Sequence, residues 1–170
     1  MSQTSNGVII DARPEQIWPY LTTDKLLKWQ HGSGPYSSIK QANINLVDDP
    51  NGDKTGAIAV TTSDNRQVTM SLAEYNEPRY ITFHCAYLVA PVTVDQFLSF
   101  ELEPVEGETG IQTLLTIATD WQIGDVTLPL KMLASFGVAG KFNEMIEFTL
   151  RNIKTLVESE IVATNEEVAL

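Results

Sequence analysis

Between about residue 37 and residue 121, apolar side chains recur at every second position, the spacing of strands that bury one face. The segments 38–47, 55–62, 67–75, 80–89, 94–104 and 111–121 each carry this alternation. Turn residues part them: Asp-Pro-Asn-Gly at 49–52, Ser-Asp-Asn at 63–65, Asn-Glu-Pro at 76–78, Ala-Pro at 90–91 and Glu-Gly-Glu-Thr-Gly at 106–110. Links this short join antiparallel neighbours, so the pattern predicts a meander. Ile81, Phe83, Cys85, Tyr87 and Val89 share one face of their strand, with Thr82 and His84 on the other. Leu98, Phe100 and Leu102 oppose Ser99, Glu101 and Glu103; Leu115, Ile117 and Trp121 oppose Gln112, Thr116 and Asp120; Val68, Met70 and Leu72 extend the apolar face. One side of the sheet is therefore expected to be buried and the other wet.

The flanks read differently. Residues 5–12 contain a β-branched run that predicts a first strand, and Pro14 suits the first position of a helix, where its missing N–H is no loss. Ile17, Trp18 and Leu21 fall on one side of that helix, and Pro19 should shorten or kink it. Thr22 or Thr23 can cap a second short helix, Asp24 to Gln30, with Leu26, Leu27 and Trp29 apolar; residues 31–38 then form a Gly/Pro-rich break. After Pro129 the period becomes 3.6: Phe142, Ile146, Thr149, Ile153, Leu156 and Val157 form one stripe, with Lys141, Glu144, Glu147, Arg151, Lys154 and Glu158 mostly opposite. A helix over 131–160 would be about 45 Å long. Gly137 and Gly140 interrupt it, either as a kink that opens a portal near Phe136 and the 122–128 loop, or as small residues needed for close packing. One amphipathic helix and one half-buried sheet give an α+β class, with the helix against a curved antiparallel sheet.

The 170 residues include 22 acidic and 11 basic side chains, a net charge of −11. No Lys or Arg lies between Arg79 and Lys131. Proteins that grip phosphate backbones or anionic membranes cluster their cations, so the charge excludes nucleic acid and argues against anionic membrane surfaces. The length suits one domain, 1–160, followed by an acidic, flexible tail, 161–170. A lone cysteine, Cys85, forms no internal disulfide; the N-terminal residues lack a secretory pattern; and apolar runs such as 86–92 fall short of a bilayer span. A cytoplasmic protein is expected.

The wording of several segments is more specific. VIIDARPEQIWPYLTTDKLLKWQ resembles the opening of the START/SRPBCC superfamily, with Val8 to Ala12, Pro14-Glu15, Ile17-Trp18 and Trp29 at the matching places. LAEYNEPRYITFHC is similar to that superfamily's strand–turn–strand, with Glu74, Pro78 and Arg79 as its acid, proline and base. KFNEMIEFTLRNIKTLVE is similar to its last helix. The resemblance spans roughly residues 5–160 and implies the helix-grip fold: a seven-stranded curved antiparallel sheet wrapped around a long C-terminal helix, with two short helices between strands 1 and 2. It also implies a cavity between sheet and helix. The superfamily includes lipid carriers, polyketide cyclases, coenzyme Q-binding proteins, hormone receptors and chaperone activators; the chain looks nearest to the polyketide cyclase/dehydrase or lipid-transport group.

Such a cavity would be lined by Phe83, Tyr87, Phe100, Ile117 and Trp121 from the sheet and Phe142 from the helix, with Trp29 and Phe136 near its mouth. The Tyr87 hydroxyl, Thr119 and the Trp29 and Trp121 indoles could supply polar contacts to an apolar ligand. Alternatively, the same residues pack a dry core. His84 faces solvent, His31 sits in a loop, Cys85 is a buried and inert thiol, and Glu101 and Glu103 lie on the wet face. No metal-ligand spacing, P-loop or nucleophile elbow is present, so no catalytic residue, metal or cofactor is assigned. The first expectation is a non-enzymatic binder of a lipid, aromatic or polyketide-like molecule, as monomer or homodimer. The alternatives are a cyclase or dehydratase using Tyr87 or His31 as acid or base, and a protein-interaction module like the chaperone activators.

Overall fold

The first strand, β1 (Ser2–Ile10), pairs antiparallel with the last, β7 (Gly110–Ile123), so the sheet is held together from both ends of the chain. Between them run β2 (Ile39–Asp48), β3 (Lys54–Thr62), β4 (Gln67–Asn76), β5 (Tyr80–Val89) and β6 (Val92–Gly107), each antiparallel to the next. The order is β1-β7-β6-β5-β4-β3-β2, with β1 and β2 at the two edges. This computed structural model describes residues 2–25, 39–62, 65–89, 92–107, 110–124 and 126–168, and the side chains of these except 87–89, 92, 128–130, 133, 136 and 165–168.

Two short helices follow β1: α1 (Pro14–Ile17) and α2 (Pro19–Thr22). Pro19 cannot donate into a continuing helix, and the break falls at Trp18, as its position predicts. The helix expected over 24–30, including Trp29, lies outside the described residues apart from Asp24 and Lys25. The long helix α3 (Leu128–Val168) crosses the concave face and lies closest to β1 and β7. The architecture is the expected helix-grip.

Three polar ties fasten the far half of α3. Lys154 Nζ donates to the Ile9 carbonyl at 2.6 Å, the Asp11 N–H donates to Glu158 at 3.0 Å, and Lys25 meets Glu160 at 2.8 Å. Near them Thr113 Oγ1 donates to the Ala12 carbonyl at 2.7 Å, satisfying a buried hydroxyl. Buried Ile10, Ile17, Trp18 and Leu21 then close this end of the interior against Ile146, Ile153 and Val157.

Two irregularities shape the sheet. A bulge between Leu72 and Glu74 reverses the alternation of β4, sending Tyr75 inward opposite Ile81 and Glu74 outward beside Thr82. Tyr75 then meets the Trp18 ring edge-on, with centroids 5.4 Å apart. In β3, Gly56 has φ of +125°, and a Cβ there would stand 1.9 Å from the Asn45 carbonyl oxygen, so only glycine fits.

The helix departs from expectation at two places. It continues to Val168 rather than ending near residue 160, because residues 161–168 contain neither Gly nor Pro to stop it. Gly137 and Gly140 are exposed, and a Cβ at either would meet nothing within 4 Å. Close helix–sheet packing is therefore not what calls for glycine, and the helix runs unbroken through both.

Candidate functional site

The register brings inward-facing side chains into rows across the sheet. One row runs Ile44, Ile58, Met70, Cys85, Gln96, Trp121; the next runs Leu72, Phe83, Leu98, Thr119. The third sets Ile81, Phe100 and Ile117 side by side. From the helix, Val138, Phe142, Ile146, Leu150 and Ile153 point toward these rows and are buried.

The interior is not one continuous apolar mass. Phe83, Phe100, Ile117, Ile58 and Cys85 belong to a large cluster completed by Ile146, Leu150 and Ile153. Trp121 and Phe142, with ring centroids 5.7 Å apart, form a second cluster with Val94, Ile123 and Val138. Met145 touches both. Between them, on the sheet, lies a buried polar pair: Gln96 Nε2 donates to Thr119 Oγ1 at 2.7 Å. Beside it the Trp121 indole N–H is buried without an acceptor among the described residues. Such an orphaned donor costs about 1–3 kcal/mol.

Burial is uneven along the same face. Phe83 is 1% exposed and Thr119 is fully buried, yet Leu98, the residue between them in mid-sheet, keeps accessible surface. Met70 and Leu72 on β4, and Ala42, Ile44 and Leu46 on β2, are likewise half-buried although they point inward. A close-packed interior leaves no accessible apolar surface at the middle of a sheet.

The titratable group at the centre of this face is Cys85. Burial pushes its thiol up to about 12, so it stays protonated and inert, as its position on the apolar face predicts. His84 lies on the convex side, half-exposed and paired with Asp95. Glu101 and Glu103 are exposed. Among the described residues, no cluster of three or more His, Cys, Asp or Glu side chains could hold a metal ion, and no helix is long and apolar enough to cross a membrane.

Of the residues expected to line a ligand site, Phe83, Phe100 and Ile117 meet in the large cluster and Trp121 and Phe142 in the small one. Tyr87 sits on β5 opposite Val94, but its side chain and that of Phe136 are not described. Trp29 and His31 lie outside the described residues. Gln96 was missed. The signal was present, since alternation through Leu98 and Phe100 puts residue 96 on the same face.

A recess lies outside the sheet–helix interior. It is an open cleft of about 720 Å³ lined by Arg13, Pro14, Glu15, Gln16, Pro78, Arg79, Pro104 and Ile111. No spacing in the sequence links these four segments.

No family model matches this chain, and no curated protein does. Solved structures do. A START superfamily protein from Mycobacterium smegmatis is similar over 92% of this chain and 97% of its own, with a TM-score of 0.62 and 17% identity. The fold is START/SRPBCC-like. The Aha1 dimer from Colwellia psychrerythraea is similar over 93% of this chain and 97% of its own, at TM-score 0.56 and 19% identity. The protein XoxI from Bacillus cereus covers 92% and 96% respectively, at 0.59 and 18%. At such identities the likeness speaks for the fold of this chain and leaves its chemistry to its own residues.

Proposed function

We propose that this protein binds a hydrophobic small molecule (a lipid, an aromatic compound or a polyketide-like one) in a cavity between the sheet and α3. The observation that carries the reading is Leu98, half-buried in mid-sheet between sealed neighbours. An apolar guest over Leu98, Met70 and Leu72 would remove their remaining surface from water, at roughly 25 cal/mol per Å². Gln96, Thr119 and the orphaned Trp121 N–H stand at one end, where an acceptor oxygen on the guest would find donors.

The two other readings draw less from the described residues. A cyclase or dehydratase would work through Tyr87 or His31, since burial keeps the Cys85 thiol protonated up to about 12 and so unable to take up a proton. Unchanged turnover in variants of both would remove that assignment. A protein-interaction module would present an apolar patch, whereas the exposed Ile9, Val47, Ile111, Met132 and Val162 belong to four separate elements.

The test is a thermal-shift panel on delipidated protein: a fatty acid, a sterol, a quinone and an aromatic polyketide. A ligand at about a hundred times its Kd should add about 2.7 kcal/mol of stability. Leu98→Trp, which fills the space, should abolish that gain without lowering the stability of the free protein. No shift from any member, together with loss of stability in Leu98→Trp, would mean a solid interior and would sink the proposal.

A further inference from the structure

The outer cleft holds two arginines of a chain in which acids outnumber bases two to one, 22 against 11. Neither Arg13 nor Arg79 has a carboxylate within 4.0 Å among the described residues, although Glu15 lines the same cleft. Their backbones, by contrast, are held. The Arg13 N–H donates to Gln16 Oε1 at 2.9 Å, the Arg79 N–H donates to the Asn76 carbonyl at 2.6 Å, and the Arg79 carbonyl accepts from the Leu102 N–H at 2.7 Å. Fixed backbones keep both side chains at the cleft, and guanidinium heads with no carboxylate partner among the described residues are suited to receiving an anion.

The walls are apolar. Pro14, Pro78, Pro104 and Ile111 line the cleft, and Ile111 leaves 50% of its surface exposed. The volume falls in the range of small-molecule sites, about 300–1,000 Å³. The lining sets two cations against one carboxylate on an otherwise acidic protein.

We propose that this cleft is a second binding site, separate from the sheet–helix interior, for an amphipathic organic anion. Its carboxylate or phosphate group bridges Arg13 and Arg79, and its apolar body lies on Pro78, Pro104 and Ile111. Guanidinium groups bind both oxyanions in a bidentate manner, so the chemistry is shared.

Arginine Nε–H resonances and the Ile111 methyl signal read the site directly. The probes are phenyl phosphate, 3-phenylpropionate and the neutral 3-phenylpropanol. Saturable shifts of Arg13, Arg79 and Ile111 with at least one anion are expected, weakening about tenfold in Arg13→Gln and in Arg79→Gln. Arg151→Gln, which removes an exposed charge from α3, should leave the affinity unchanged. Saturation by phenyl phosphate alone assigns phosphate esters, by 3-phenylpropionate alone carboxylates. The proposal is overturned if neither anion saturates by about 10 mM, if the alcohol shifts the same signals equally, or if either glutamine variant, with an unchanged Tm, binds as well as the parent.

Discussion

Residues 84–85 and 95–96 are neighbours in the chain and opposites in environment. On the convex face His84 Nε2 and Asp95 Oδ1 lie 2.5 Å apart, and Gln122 donates to the other carboxylate oxygen at 3.2 Å. The Phe97 ring stacks beside the imidazole at 4.8 Å. One residue further along each strand, Cys85 and Gln96 face one another on the concave side, next to Trp121. The backbone spacing is the same on both sides; only water differs. Where water reaches, ionisable groups pair and remain exchangeable. Where it does not, the strands carry a protonated thiol and a neutral amide held by a hydroxyl, since a bare charge there would cost several kcal/mol.

The widest gap between the two faces should be one of reactivity. With its thiol at about 12 instead of 9.0, Cys85 holds about a thousandfold less thiolate at pH 8. Iodoacetamide should label it only as fast as the protein opens, while diethylpyrocarbonate reaches His84 in the folded state. Rapid alkylation of Cys85 under native conditions would erase the contrast.

Next in size is packing. Phe100 is 3% exposed, between Ile81 and Ile117, so Phe100→Ala should cost about 3–5 kcal/mol in urea unfolding. Phe97→Ala, on the half-exposed face, should cost less than half as much. Equal losses would mean that the convex face is covered by something else.

Gln96→Leu leaves the Thr119 hydroxyl buried without its donor, an expected loss of about 1–3 kcal/mol. Adding Thr119→Val should recover part of it, because both polar partners are then gone. A double mutant whose loss equals the sum of the singles would show that the two groups act independently.

The smallest effect belongs to the exposed pair. The His84 hydrogen bond, with help from Gln122 and against the effect of burial, holds the Asp95 carboxyl below its ordinary value. A depressed folded-state pKa adds stability above the unfolded value and loses it as pH falls through the folded one. Asp95→Asn should therefore cost under about 1 kcal/mol at neutral pH, and its difference from the parent should close below about pH 4. A gap that widens below about pH 4 would reverse the assignment.

Alternation in 80–89, 94–104 and 111–121, and the stripe from Phe142 to Val157, were enough to name the strands, the long helix and the side each buries. Period follows from local backbone geometry, two per pleat and 3.6 per turn, so any stretch of ten residues reports it. Tertiary structure decided what such stretches do to one another. Strict alternation would send Glu74 inward; the bulge before it turns Tyr75 inward instead, onto Trp18. The pairing of Gln96 with Thr119 depends on the register of β6 against β7, 23 residues apart in sequence. The division of the interior into two clusters, the accessible surface left on Leu98, and the placing of Arg13 and Arg79 on one cleft depend on how distant segments pack, and no window along the chain contains both partners.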